Sequence, residues 1–367
     1  MRIRDASLML LLAGLAAVPA SARQTADGDQ EMPAVAPRDA GWNTTLLSDL
    51  ERAIAADSFP QTTSVLVAQG GRLVYEAYFG SGAADLLNDT RSATKSITAL
   101  AIGRAIDDGL ITGVDAPAFA YLAYLAPFAN DGDAKRSVTI EDLLTMSSAL
   151  DCNDNDPESP GNEENMYPLR DWGRWAVDIP VRAGYERDAA GRGPFAYCTA
   201  GTLLLGLILE RATGERVDRY IDRTWMRPLG IERRQWAQSP TGEYMTGGGL
   251  RLRSRDLLRF AQSVLDGGAW HGQRLVSAAW LHAALSEQRV AGAEQGYGYL
   301  FWRRTWQSGC GPITAPYMAG NGGNAILILP SLDAVVVVTR QHYGQRGMHQ
   351  QTIRLLESFV LAAAPCP

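Results

Sequence analysis

The apolar positions in the first hundred residues follow two different periods. Residues 45–57 carry apolar side chains at every third or fourth position, a spacing that predicts an amphipathic helix. The run TSVLVAQGGRLVYEAYFG then holds two β-rich segments on either side of Gln69-Gly70-Gly71. Because short glycine-containing connections between such segments are typical of hairpins, this run predicts two antiparallel strands.

The centre of the chain has a helical pattern that long loops interrupt. Residues 91–110 place apolar side chains along one side of a helix. Residues 203–213 form a second apolar helix, and Gly214 ends it well. Thr139 is a favourable N-cap for another helix that begins at Ile140. This part of the chain is therefore expected to be mainly helical.

Strand-like segments return near the C-terminus. Residues 324–329 and 334–339 are apolar on both faces, as strands inside a covered sheet are. A helix is expected to close the chain. We therefore predict one sheet assembled from both ends, with residues 45–92 and 285–367 in a sheet subdomain and residues 93–284 in a mainly helical subdomain.

The N-terminus has the pattern of a secretory leader. Two arginines precede an apolar run over residues 6–18, and small residues suited to cleavage follow it. The apolar run is shorter than the roughly 20 residues that span a bilayer. We expect a cleaved signal peptide over residues 1–22, a polar, mobile linker over residues 23–44, a periplasmic or secreted location, and no stable membrane anchor.

Composition narrows the class of protein. Of the 367 residues, 46% are hydrophobic and 20% charged, and the net charge of −6 comes with scattered arginines, so no nucleic-acid partner is expected. The four histidines show no metal spacing and no C-x-x-C pair occurs, so no metal site is expected. Four cysteines in an exported chain permit two disulfides. We favour Cys152 with Cys198 and Cys310 with Cys366, although the sequence leaves other pairings open.

An acidic run, DCNDNDPESPGNEEN, begins like a calcium-binding loop at Asp151. Its sixth and twelfth positions, Asp156 and Asn162, lack the glycine and the glutamate that such a loop requires. We interpret it as a solvated loop near the cleft.

Only two lysines occur in the chain, and one of them follows a serine at helical spacing. Ser92 and Lys95 are three residues apart and would share one face of a helix. A serine hydroxyl needs a neighbour that removes its proton, and lysine serves when its pKa is lowered. Twenty serines and two lysines in 367 positions would produce about 0.1 such pairs by chance. The pair is therefore a candidate nucleophile and base.

With its flanks, RSATKSI resembles the nucleophile motif of β-lactamase-related serine hydrolases, the class C-like branch that includes esterases, D-aminopeptidases and 6-aminohexanoate-oligomer hydrolases. The resemblance runs from about residue 64 to residue 361 and includes TIEDLLTMSSALDC, FAYCTAGTLLLGLILERATG and GNGGNAILILP. It implies an α/β fold of the α+β type: a β-lactamase/transpeptidase-like antiparallel sheet flanked by helices, beside a helical subdomain, with the site between them.

The resemblance also implies roles for individual residues. Ser92 would be the nucleophile, with Lys95 and Tyr197 as acid and base, and the adjacent ammonium group would make the Tyr197 phenol easier to ionise. The backbone N–H groups of Ser92 and Asn324 would form the oxyanion hole.

Two positions depart from the family pattern. Thr199 stands where an asparagine is common, and Asn321-Gly322-Gly323 stands where a lysine or histidine usually opens the third motif. All four residues are expected to contact substrate. Without the cation, a substrate carboxylate loses a charge-assisted partner, which argues against efficient β-lactam hydrolysis. Arg340 either restores the positive charge or is a surface arginine.

We therefore predict a serine hydrolase that cleaves an ester or amide through an acyl-enzyme on Ser92, without metal or organic cofactor. Its partner would be a small-molecule or short-peptide substrate, and its oligomeric state is open. One alternative is D-Ala-D-Ala carboxypeptidase or penicillin-binding activity, or weak β-lactamase activity. The other is a non-catalytic binding protein on the same scaffold, which Thr199 and Asn321 motivate.

Overall fold

The structure is a computed structural model that describes residues 31–189 and 191–366, so the predicted leader lies outside the described residues. The strands are β1 (Thr62–Gln69), β2 (Arg72–Tyr78), β3 (Asn88–Asp89), β4 (Gln235–Trp236), β5 (Leu250–Leu252), β6 (Ala269–Trp270), β7 (Gln273–Arg274), β8 (Arg289–Gly292), β9 (Gln295–Tyr297), β10 (Trp302–Ser308), β11 (Gly311–Gly320), β12 (Asn324–Leu329) and β13 (Ala334–Arg340).

The helices are α1 (Thr44–Ala55), α2 (Thr94–Asp107), α3 (Ala118–Tyr121), α4 (Asp133–Arg136), α5 (Ile140–Leu144), α6 (Trp172–Asp178), α7 (Thr199–Thr213), α8 (Val217–Ile221), α9 (Ser254–Leu265), α10 (Ala278–Leu285), α11 (Met348–Leu355) and α12 (Leu361–Ala363). Short 3₁₀ turns lie at Arg91–Ala93, Ala123–Leu125, Glu163–Asn165 and Pro330–Leu332, and π turns at Asp222–Met226 and Leu356–Val360. None of the described helices is both long and apolar enough to cross a bilayer.

The main sheet is antiparallel and draws its strands from both ends of the chain. Its order is β2-β1-β13-β12-β11-β10-β9-β8. The predicted hairpin is confirmed, because Gln69 pairs with Arg72 across the turn. The predicted C-terminal strands are confirmed as β12 and β13, which pair through Ala325 and Val338. The predicted boundaries of the two subdomains stay a prediction.

Both faces of the sheet are covered, which explains why its central strands are apolar throughout. Leu66 and Val337 face a core that contains α2, α7 and α9. Val65 and Val338 face a second core that contains α1 and the C-terminal helices. Since successive side chains of a strand point to opposite faces, such a strand cannot alternate between apolar and polar residues.

The strands from β8 to β11 did not stand out in the sequence. Strand β10 reads WRRTWQS and has one fully buried residue, Trp306. Strand β11 contains Pro312 and Pro316, residues that are depleted in strands because they cannot donate a backbone hydrogen bond. Because of their mixed polarity and their prolines, these segments were not recognisable as strands from the sequence. Pairing with the neighbouring strands of the sheet stabilises them.

The described part of the predicted linker is bound to the edge of the sheet. The N–H of Val35 donates to the carbonyl of Leu73, and the N–H of Leu73 donates to the carbonyl of Pro33, both at 2.9 Å. These bonds satisfy backbone groups that β2 would otherwise leave open as an edge strand. Residues 33–35 are therefore part of the fold.

Two disulfides join Cys152 to Cys198 and Cys310 to Cys366, which confirms the favoured pairing. They link residues 46 and 56 positions apart. Loops of this length correspond to a stabilisation of about 4 kcal/mol each in the chain-entropy model.

We expect the double variant Cys310→Ser/Cys366→Ser to lower the free energy of unfolding by about 4 kcal/mol, because the unfolded chain regains the entropy of an open loop. Chemical denaturation of the oxidised wild type and of the variant measures this difference. A change below about 1 kcal/mol would contradict the entropic account.

Candidate active site

Ser92 lies on a tight turn that immediately precedes α2. Arg91 has a φ of 48°, in the left-handed region that side chains other than glycine rarely adopt. Its N–H donates to Asp89 Oδ1 at 3.1 Å, which holds this conformation. The 3₁₀ turn Arg91–Ala93 then continues into α2. The sequence thus places the hydroxyl of Ser92 at the N-terminal end of a buried helix.

Lys95 is 1% exposed and its ammonium group is fully engaged. Its Nζ lies 3.1 Å from Ser92 Oγ, 2.8 Å from Thr199 Oγ1 and 2.6 Å from the carbonyl oxygen of Gly247. An ammonium group has three donors, and these three oxygens take them all. The amine is therefore held beside the serine in one position.

Gly247 permits this arrangement because it has no side chain. A Cβ at this position would lie 2.6 Å from Thr199 Cγ2 and 3.6 Å from Lys95 Nζ. The sequence offered a weak signal for this contact, three consecutive glycines between helical regions.

Tyr197 completes the group predicted around Ser92. Its ring stacks on Trp302 at 5.4 Å between centroids, and Lys95 Nζ lies 5.0 Å from its centroid. Burial raises the pKa of Tyr197, and Asp154 and Glu163 act in the same direction. Lys95 and a hydrogen bond with Ser92 oppose it. The ammonium group of Lys95 favours ionisation of the phenol, as expected, but desolvation exceeds this attraction and the net pKa of Tyr197 is raised.

Thr199 contacts the lysine instead of facing open space. It is 1% exposed, accepts the hydrogen bond from Lys95, and donates its backbone N–H to Asp154 Oδ2 at 2.7 Å. As the first residue of α7, Thr199 directs its short side chain to Lys95 of α2, and its contact with substrate stays a prediction.

The four residues of the predicted third motif and oxyanion hole divide into two pairs. Asn321 and Asn324 border the cavities beside Ser92. Gly322 and Gly323 have φ values of 92° and 89°. A Cβ added at these positions would lie against Tyr343 and Arg340, respectively.

Arg340 has neither of its two predicted roles. It is 1% exposed and donates to the carbonyl oxygens of Met348 and Pro60 and to the side chains of Thr352 and Gln351. Burial lowers its pKa to about 10. It is a buried structural cation behind the turn, not a substitute for the missing cation of the third motif.

Strand β11 runs directly alongside the nucleophile. A Cβ on Gly320 would lie 2.2 Å from the carbonyl oxygen of Thr90 and 3.3 Å from the backbone nitrogen of Ala93, so glycine allows the close approach. The ladder between β10 and β11 ends at the pair of Trp302 and Tyr317. The last residues of β11 therefore present an edge towards Ser92.

Two cavities meet at Ser92. One cavity, of about 460 Å³, is lined by residues that include Glu163, Glu164, Tyr167 and Arg251. The other, of about 390 Å³, runs along Asp154, Tyr197, Trp302 and the end of β11. A substrate carbonyl placed at Ser92 would thus have room for a group on each side.

The acidic loop lies near the cleft, as expected, but the sequence did not single out the residues that contribute. Asp154 and Glu163 border the cavities. The predicted disulfide was the available signal, because pairing Cys152 with Cys198 brings this loop next to Tyr197. The described residues contain no cluster suited to holding a metal ion.

Comparison with known proteins gives the class to which this fold and site belong. The family model Beta-lactamase matches residues 49–357. The chain therefore belongs to the Beta-lactamase family and is a serine hydrolase, which favours an enzyme over the binding-protein alternative.

Individual relatives are distant. The chain is 28% identical over 306 residues to the 6-aminohexanoate-dimer hydrolase of Paenarthrobacter ureafaciens, covering 80% of this chain and 75% of that protein. It is 26% identical over 206 residues to penicillin-binding protein 4 of Amycolatopsis lactamdurans, covering 48% of this chain and 51% of that protein.

A penicillin-binding protein homologue from Caulobacter crescentus superposes with a TM-score of 0.63 at 18% identity, over 86% of this chain and 96% of that one. This likeness confirms the predicted β-lactamase/transpeptidase-like fold.

Proposed function

We propose that the protein is an exported hydrolase that cleaves an amide or ester through an acyl-enzyme on Ser92, with Lys95 and Tyr197 exchanging the protons. The observation that carries the proposal is the 3.1 Å contact between Lys95 Nζ and Ser92 Oγ, inside a buried set of hydrogen bonds. The two disulfides support export, since such bonds persist in oxidising compartments.

In the first step, Ser92 Oγ bonds to the substrate carbonyl carbon while its hydroxyl proton passes to Lys95 Nζ, which accepts it once the ammonium group has lost a proton. Collapse of the tetrahedral intermediate breaks the bond to the leaving amine or alcohol, which takes a proton from the site. Because the pKa of Tyr197 is raised, its phenol stays protonated and suits the role of acid. Water then attacks the acyl carbon while Lys95 and Tyr197 pass its proton to Ser92 Oγ, the bond between Ser92 Oγ and the acyl carbon breaks, and the carboxylic acid leaves.

The oxyanion would be held by backbone N–H groups at the start of α2 and at the end of β11. Ser92 supplies the first. For the second, Asn324 was expected, but it lies opposite Gly320 in the ladder and its buried side chain bonds the carbonyl oxygens of Asp89 and Asn321. We favour the N–H of Asn321, which borders both cavities directly after the free edge of β11.

Charges around Ser92 favour a substrate with a free amine over one with a carboxylate. Arg91 and Arg251 line the larger cavity, but both pair with Asp89, at 3.1 and 3.7 Å. Glu163 and Glu164 line the same cavity. A relative named for hydrolysis of 6-aminohexanoate dimers is consistent with such a substrate. We propose linear ω-amino amides as the first class to test.

We expect 6-aminohexanoyl p-nitroanilide to be hydrolysed with roughly fivefold higher kcat/KM than its N-acetyl analogue, since a partly exposed ion pair contributes at most about 1 kcal/mol. Glu163→Gln should reduce this preference.

Nitrocefin should be hydrolysed more slowly than p-nitrophenyl esters, because no unpaired cation is available among the described residues that line the larger cavity. A panel of these substrates with D-amino-acid peptides measures the ranking.

The D-alanyl carboxypeptidase alternative has a distinct signature. Prompt covalent labelling by a fluorescent penicillin, together with faster cleavage of D-amino-acid peptides than of ω-amino amides, would favour it over our proposal. Intact mass spectrometry of the purified protein identifies the adduct and also reports whether residues 1–22 have been removed.

A further inference from the structure

Asp154 contacts the segment of Tyr197 and Thr199 through both its backbone and its side chain. Its N–H donates to the carbonyl oxygen of Tyr197 at 2.8 Å. Its Oδ2 accepts the backbone N–H of Thr199 at 2.7 Å, and its Oδ1 accepts the N–H of Glu163 at 3.0 Å. One residue thus binds the backbone on both sides of Cys198 and ties it to the loop that carries Glu163.

The disulfide reinforces the same junction. Cys152, two residues before Asp154, is bonded to Cys198, which lies between Tyr197 and Thr199. The acidic loop is therefore joined to the start of α7 covalently and by two hydrogen bonds, at the point where Tyr197 and Thr199 meet Lys95.

The carboxylate also acts through its charge. The groups that face it are Lys95 of α2, Tyr197 before α7, Glu163 of its own loop, and the phenols of Tyr167 and Tyr297. Burial raises the pKa of Asp154, and the attraction of Lys95 opposes that rise. In turn, the negative charge of Asp154 contributes to the raised pKa of Tyr197.

We propose that Asp154 is a positioning residue for the reaction, which holds Tyr197 and Thr199 against Lys95 and sets the electrostatic environment of that pair. The proposal rests on the proposed function of Ser92, Lys95 and Tyr197. Asp154 itself touches no reacting atom, because its carboxylate oxygens are bonded to the N–H groups of Thr199 and Glu163.

The test is Asp154→Asn, which preserves the shape of the side chain and removes its charge. The matched control is Glu158→Gln, which removes one charge from an exposed position of the same loop. Both variants and the wild type are assayed for kcat and KM with a p-nitrophenyl ester across pH, and for labelling of Ser92 by a fluorophosphonate.

We expect Asp154→Asn to lower kcat on the order of 10- to 100-fold, because small displacements of catalytic groups cost that much, with a smaller change in KM. The pH limb that reports loss of a proton from the catalytic pair should move to lower pH, since removing a nearby negative charge favours the deprotonated forms. Glu158→Gln should leave both unchanged. A purely structural role would lower activity without moving the limb.

The proposal is overturned if Asp154→Asn matches Glu158→Gln in kcat and in the position of the pH limb. Should Asp154→Asn not fold, Asp154→Glu carries the test. It keeps the charge but displaces the carboxylate, so kcat should fall while the pH limb stays in place. An unchanged kcat would overturn the proposal that Asp154 positions Tyr197 and Thr199. Failure of the underlying mechanism is seen separately, as fluorophosphonate labelling that survives Ser92→Ala.

Discussion

Ser92→Ala is expected to reduce ester and amide hydrolysis by at least about 10³-fold and to abolish the fluorophosphonate adduct, because it removes the hydroxyl that forms the acyl-enzyme in our proposal. The measurements are steady-state kinetics on the best substrate of the panel and the intact mass of the labelled protein. The fold should be retained, since Ser92 lies at the mouth of the cavities and its side chain supports no packed core.

Ser96→Ala is the matched control. Ser96 lies on the same helix, and its hydroxyl donates to the carbonyl of Leu300 at 2.5 Å, away from Ser92. Losing that buried hydrogen bond should cost about 1 kcal/mol of stability while the adduct still forms. Adduct formation in Ser92→Ala would show that the nucleophile is a different residue.

Lys95→Met is expected to lower kcat by on the order of 10³-fold, because the hydroxyl of Ser92 loses the base that accepts its proton. The chain offers an unusually close control in its only other lysine. Lys135 is also 1% exposed, and its Nζ donates to the carbonyl oxygens of Ala129 and Val177 at 3.0 and 2.8 Å. Burial lowers the pKa of Lys135.

Lys135→Met should lower the free energy of unfolding by about 1–3 kcal/mol, because two buried carbonyl oxygens lose their donor, and should leave kcat near that of the wild type. The pair of variants therefore separates the chemistry of an amine from its role in packing. Equal losses of kcat in both variants would show that Lys95 acts only through stability. Thermal unfolding and kinetics on the same preparations make the comparison.

The central sheet and its covering helices were largely predictable because their signals are local. The hairpin at Gly70-Gly71, the N-cap at Thr139 and the left-handed end of α7 at Gly214 each depend on a few neighbouring residues. Strands β8 to β11 were less visible, because partners distant in the sequence stabilise their mixed polarity.

The site was predictable to the extent that its residues share a motif. Ser92 and Lys95 are joined by helix geometry, and the resemblance placed Tyr197 near them. Asp154 was not recognisable, since an acidic loop has the same composition whether it is solvated or folded against a cleft. The expectation that Asn324 supplies an oxyanion donor stays a prediction, and the register of β11 and β12 is one reason why we propose Asn321 in its place.

The sequence by itself determined the hairpin, the apolar strands and the spacing of three residues between Ser92 and Lys95, because these follow from periodicities of two to four residues. Only the tertiary structure decided that Gly247 and Thr199 hold the amine, that Arg340 is buried, and that Asp154 binds the start of α7. These contacts join segments 45 to 152 positions apart. Close packing of the whole core, and not any local preference, determines which of them form.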